Sequence, residues 1–168
     1  MTLFNLSWAY DELGDFERAT ELSEEYLQRA RASGSERQVA FALDSLAGTL
    51  REQDRLDEAF TVGIEGLLIR REQGDIFHQL DRLSHLAATL ALAGRLRVAT
   101  RLLSSSMHLF EQLEVEVPLY LEKRNGKTLD LIHAGLPDSA FASAWREGSG
   151  LSLDDAVAIA LGEAKPDA

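Results

Sequence analysis

Apolar residues recur along this chain with two periods at once. Within short windows they fall at helical spacing: Leu3, Leu6 and Tyr10, then Leu43, Leu46 and Leu50, then Leu83, Leu86 and Leu90, with the small residues Ser7, Ala47 and Ala87 following each second leucine. Positions i, i+3 and i+7 share one face of an α-helix, so each window predicts a helix with one inward stripe. Between windows the whole pattern shifts by 40 residues. Gly14, Asp54 and Gly94 break each helix, and Phe16, Leu56 and Leu96 with Ala19, Ala59 and Ala99 open a second one. Leu22, Val62 and Leu102, then Leu27, Leu67 and Met107, carry its inward stripe, and the alanines let two backbones approach closely. Each unit is therefore a predicted helical hairpin, with Gly34 and Gly74 where the second helices end.

A single hairpin cannot bury its own apolar face, so successive units must stack as a solenoid, here of three repeats over residues 1–116. The register is lost after about Val117. From Pro118 to Ala134 the pattern still predicts a helix, with Gly135 and Pro137 as stop signals. Two short helices follow, up to residue 162. Asp138 or Ser139 is expected to cap the first, which carries Phe141 and Trp145 on one face. Gly148-Ser149-Gly150 reads as a helix break, and Ser152 with Asp155 as a capping-box-like start for the second. A solenoid needs such a cap to keep its last apolar face from water. Residues 163–168 are expected to fray. The predicted fold is all-α, a helical-hairpin solenoid of three 40-residue repeats with a C-terminal helical cap.

The repeat pattern resembles the tetratricopeptide repeat: an apolar residue, two others, Leu, a small residue, two others, an aromatic or apolar residue, then Ala. Residues 3–107 carry it. The period is longer than the usual value of about 34 residues. Ser23, Gly63 and Leu103 stand at the late aromatic position, and no Pro closes a unit, so the likeness is to the longer-period variety found in large signalling proteins. The stretch "FASAWREGSGLSLDDAVAIAL" resembles the C-terminal end of the repeat region in large bacterial regulators that join an ATPase module to a LuxR-type DNA-binding domain or a nucleotide cyclase. Phe141, Ala144, Trp145, Gly148, Leu151, Ser152, Ala156, Val157, Ala160 and Leu161 carry that likeness. It implies a right-handed stack acting as a sensor or scaffold downstream of an ATPase. Neither the ATPase nor the helix-turn-helix lies within these 168 residues.

Composition narrows the function. At 45% apolar and 27% charged residues the chain is globular, and the absence of cysteine removes disulfides and thiolate metal sites. No signal-peptide pattern or long apolar run is present, so a cytoplasmic protein that crosses no membrane is expected. The net charge of −11, without a segregated basic patch, argues against direct nucleic-acid binding. Residues 1–36 hold eight acids against three bases, whereas residues 37–110 hold nine of each. That acidic start reads as a solvated face or as a docking surface for a basic partner. The first unit has only Met1 and Thr2 ahead of its leading leucine, so the chain is expected to begin inside a helix, as a segment of a longer polypeptide or a shortened homologue.

Motifs with chemical potential are few. "NGKT" at residues 125–128 looks like the end of a phosphate-binding loop, but its required first glycine would fall at Leu121. His78, Asp81 and His85 share a helix face, yet the two histidines are two turns apart, about 10 Å, too far to chelate one ion together. His108 and His133 have no catalytic neighbours in sequence. No cofactor, metal or catalytic residue is assigned, and the chain is read as non-enzymatic, with a metal enzyme around His78 and His85 as a remote alternative.

What remains is an interaction surface. By helical phase, Asn5, Trp8 and Glu12 in the first unit, Asp44, Ser45 and Arg51 in the second, and Ser84 and His85 in the third are expected to line a concave face. Its mixed polar character suits a peptide or protein segment. The expected function is a protein-interaction, sensor or scaffold domain of a bacterial signalling or transcription-regulating ATPase. The alternative is a free-standing adaptor that forms a homodimer through its open first repeat.

Overall fold

The computed structural model describes residues 2–163, and among them every regular element is an α-helix. The chain divides into two compact units between Gly74 and Asp75. The first holds α1 (Leu3–Glu12), α2 (Phe16–Ser33), α3 (Glu36–Glu52) and α4 (Leu56–Glu72). The second holds α5 (Ile76–Leu92), α6 (Leu96–Gln112), α7 (Leu119–Gly135), α8 (Asp138–Ser149) and α9 (Leu153–Glu163).

The expected hairpins are α1 with α2, α3 with α4, and α5 with α6, each packed along its length. Their corners repeat at atomic detail. Gly14, Asp54 and Gly94 have φ of 77°, 60° and 75°, the left-handed conformation that lets the backbone leave a helix. One residue on, the amides of Asp15, Arg55 and Arg95 donate to the carbonyls of Tyr10, Leu50 and Leu90 at 2.9–3.0 Å. Twenty residues after each, Gly34, Gly74 and Glu114 repeat the left-handed step with φ of 70°, 66° and 51°. Glycine adopts this φ without a Cβ penalty; Asp54 and Glu114 hold it as non-glycine residues. Helix starts are equally local: Thr2, Asp15, Ser35 and Asp75 each accept the amide three residues on.

In the first unit, Leu27, Ala42, Leu43, Leu46, Leu50 and Ala59 form a core bordered by Tyr26, Val39, Val62 and Ile69. α2 packs on α3 as closely as on α1, so the two hairpins interlock. Gln53 ties them: its amide donates to the Phe16 carbonyl and the Thr20 hydroxyl, both at 2.7 Å. In the second unit, Leu80, Leu83, Leu86, Leu102 and Leu103 of the hairpin and Leu121, Ile132 and Val157 of the terminal helices are all fully buried. α7 lies on α5, α8 on α6, and α9 touches both.

The terminal helices follow the sequence reading with two corrections. Neither Asp138 nor Ser139 caps α8, whose N-cap is Pro137 with no side-chain hydrogen bond. Gly148 does not break α8 but lies within it, pressed against α6, and the helix ends at Ser149 with Gly150 as its cap. Ser152 does start α9: its hydroxyl donates to Asp155 Oδ2 at 2.6 Å and accepts the Asp155 amide at 3.2 Å. Ser152→Ala is expected to cost about 1 kcal/mol, seen as a lower denaturation midpoint. Of the segment expected to fray, Glu163 closes α9 and pairs with Arg95, and residues 164–168 lie outside the described residues.

Candidate binding surface

In the first unit α1 and α3 run beside each other. A triangle of hydroxyls fastens them to α2: Ser7 to Ser23 at 2.7 Å, Ser7 to Ser45 at 3.2 Å and Ser23 to Ser45 at 3.1 Å. Ser45, expected to face a groove, is thus partly spent on helix packing. Asn5, Trp8 and Glu12 all lie exposed on α1, and Trp8 shows 60% of its surface to water. Phe4 is exposed as well, leaning on Tyr26 with ring centroids 6.3 Å apart.

Acidic groups gather where α1 faces α3. Burial raises the Asp11 pKa above its ordinary value, and the neighbouring Glu52 and Glu12 push it the same way. The Thr49 hydroxyl and the Arg51 charge offset this in part. Arg51 itself is largely covered and lies 3.6 Å from Glu52. Trp8, one turn before Asp11 and Glu12, therefore stands beside carboxylates that a cation would relieve.

Asp44, the remaining expected residue of this unit, serves the interior. The Arg70 guanidinium on α4 reaches its Oδ2 at 3.4 Å and stacks over the Phe41 ring at 4.5 Å. Gly66 lets α4 come close here, since a Cβ on it would stand 3.3 Å from Asp44 Oδ1. Arg70 was invisible to helical periodicity because it is charged yet fully buried.

The second unit holds a buried polar cluster between α5 and α7. Asp81, on the buried side of α5, takes Arg124 of α7 at 2.6 Å and its neighbour Arg82 at 3.3 Å. His85 Nε2 lies 3.8 Å from the same carboxylate and contacts Arg124. Burial, the largest single influence, would raise the Asp81 pKa, but the charges and hydrogen bonds of Arg82 and Arg124 together outweigh it and hold the carboxyl below its ordinary value. Ser84 is fully buried and donates to Asn125 Oδ1. Ser84 and His85 thus face the chain's own α7, while Asn5, Trp8 and Glu12 face water.

The other motifs resolve simply. Asn125, Lys127 and Thr128 sit inside α7, where Thr128 Oγ1 donates to the Arg124 carbonyl, so "NGKT" forms no phosphate loop. His78 sits at the start of its helix, where Asp75 is the cap: the His78 amide donates to Asp75 Oδ1 at 3.2 Å and its Nδ1 lies 2.8 Å from Asp75 Oδ2. Among the described residues no three His, Cys, Asp or Glu side chains converge on a common metal position. None of the helices among the described residues is long and apolar enough to cross a membrane. No family model, curated protein or solved structure matches the chain.

Proposed function

We propose that this chain is a tetratricopeptide-like interaction module that binds a peptide or protein segment along the α1 and α3 face of its first unit and performs no catalysis. The observation that carries the reading is Trp8, 60% exposed on a helix whose neighbours are locked by the serine triangle and by repeated corners. A rigid aromatic on a fixed scaffold loses little entropy on binding, and such residues dominate interface energies. Asp11 and Glu12, one turn on from it, and Glu52, which acts on Asp11 from α3, favour a partner segment bearing Lys or Arg, which could stack on the indole while pairing with a carboxylate. The corner geometry repeating every 40 residues supports the repeat reading, and the likeness of residues 141–161 to the ends of bacterial ATPase-regulator repeat regions supports a place in cytoplasmic signalling.

The test is selection of binders from a displayed random peptide library, scored against the wild-type chain and Trp8→Ala. Enriched peptides should carry basic residues, and Trp8→Ala should weaken them at least about tenfold, or 1.4 kcal/mol, with helicity unchanged. Equal binding to both proteins would remove Trp8 from the site. Self-association is the second reading, favoured by Phe4 and Leu13, which are exposed on and just after the same helix. A concentration-independent monomer in sedimentation would end it.

A further inference from the structure

Where α6 gives way to α7, the second unit contains a cleft of about 290 Å3. Met107 and Phe110 of α6, Val117 of the connection and Leu129 of α7 make its apolar wall. Two polar side chains interrupt that wall, Asn125 and Glu122. The size sits near the low end of small-molecule pockets, roughly 300–1,000 Å3, and a mostly apolar lining with few oriented polar groups is their usual character.

Asn125 is 95% buried, having only 5% of its surface exposed. Its carbonyl end is taken by the Ser84 hydroxyl, and the Ser84 oxygen in turn lies 3.5 Å from Arg124, which is anchored on Asp81. The amide orientation is therefore fixed from behind. At its other end the NH2 has no hydrogen-bond partner among the described residues, while the side chain lines the cleft. The Nδ2 atom opens onto the cleft, where it can donate to water or to the acceptor of a bound molecule. Glu122, exposed on the first turns of α7, adds a negative charge to the lining. The cleft thus offers an apolar body site, one inward donor and one carboxylate that repels anions.

We propose that this cleft binds a small aliphatic molecule carrying an uncharged carbonyl acceptor, with the acceptor on Asn125 Nδ2 and the alkyl body against Met107, Phe110 and Leu129. A carboxylate of the same length is disfavoured by Glu122. Nothing in this assignment depends on the α1 and α3 face of the other unit.

Gly126 supplies a fold-preserving test. It lines the same cleft, and a Cβ built on it meets nothing within 4 Å, so Gly126→Leu is expected to intrude on the cleft without a backbone clash at Cβ while removing a helix-weakening glycine. Hexanamide is titrated into the labelled full chain and followed by amide resonances, with hexanoate as comparator. Hexanamide should shift the Asn125 side-chain amide and the Gly126 backbone amide saturably, with a dissociation constant on the order of 1 mM. In Gly126→Leu the saturable shifts of the Asn125 side-chain amide should vanish at unchanged helicity, and hexanoate should bind wild type at least about fivefold more weakly. No saturable shift in wild type, or a shift that survives Gly126→Leu, overturns the site. Equal binding of hexanoate overturns the ligand class.

Discussion

Gly148→Val is expected to lower the stability of the second unit by about 3 kcal/mol, the upper end of the usual cost of overpacking. The reason is backbone contact. A Cβ at Gly148 would fall 2.8 Å from Arg101 Cα and closer still to the Arg101 carbonyl oxygen and Ser104 Oγ. A hydroxyl can rotate away, but the α6 backbone cannot. To admit a side chain, α8 must lift from α6, breaking the 3.0 Å bond from Ser104 Oγ to the Trp145 carbonyl and the reach of Arg97 and Arg101 to Glu147. For a chain of this size the melting temperature should fall by roughly 6–12 °C. Gly48→Ala is the internal control. Gly48 lies inside α3 with nothing within 4 Å of its added Cβ, so the same kind of change there should stabilise by about 0.5–1 kcal/mol. Equal midpoints for wild type and Gly148→Val would mean that α8 does not press on α6.

Asp81→Asn is expected to cost about 3–5 kcal/mol, the loss seen when one partner of a buried ion pair is removed. Arg82 is almost wholly buried and Arg124 mostly so, and Asp81 is the carboxylate that both guanidiniums reach. An amide there leaves two guanidinium charges close together without the negative charge between them. Against a total stability of roughly 5–15 kcal/mol this is a large fraction. The paired change Asp81→Leu with Arg124→Met should recover part of the loss, because well-packed apolar residues often replace a buried pair at little cost.

The same carboxylate sets a pH dependence. Its folded pKa is depressed below the ordinary value of 3.8, so the folded state holds its proton less tightly than the unfolded chain. Its stabilisation is therefore fully present above the unfolded pKa, and it is lost as pH falls through the depressed folded value. Wild type should lose stability on acidification below about pH 4, and Asp81→Asn should show a shallower decline over that window. Parallel decline of both proteins in denaturant melts would show that Asp81 is not held by its arginines.

How much of this was legible beforehand depended on range. The leucine stripes and the corners at Gly14, Asp54 and Gly94 are local patterns, and the helices end where those residues turn left-handed. Glu114 completes the second set of corners but carries no glycine to announce it. Gly148 misled because a glycine that permits close approach looks, in sequence, like one that ends a helix. Asn5, Trp8 and Glu12 could be placed on an exposed face by phase alone. Phase also put Ser84 and His85 on one face, but it could not show that Arg124 and Asn125 of α7 lie upon them. Those contacts span about 40 residues, beyond the point where the repeat register stops. Arg70, inserted between Asp44 and the Phe41 ring, is likewise a long-range partner that no hydrophobic period reveals.

The exposed Trp8 edge of the first unit is the proposed docking site for a peptide. The most direct measurement is residue-resolved amide mapping of a library-selected basic peptide titrated into the full chain. Saturable shifts are expected to concentrate in Asn5–Glu12 and in the Asp44–Glu52 stretch of α3, and to be absent in Trp8→Ala. Shifts confined to residues 75–163, or unchanged by loss of the indole, would contradict it.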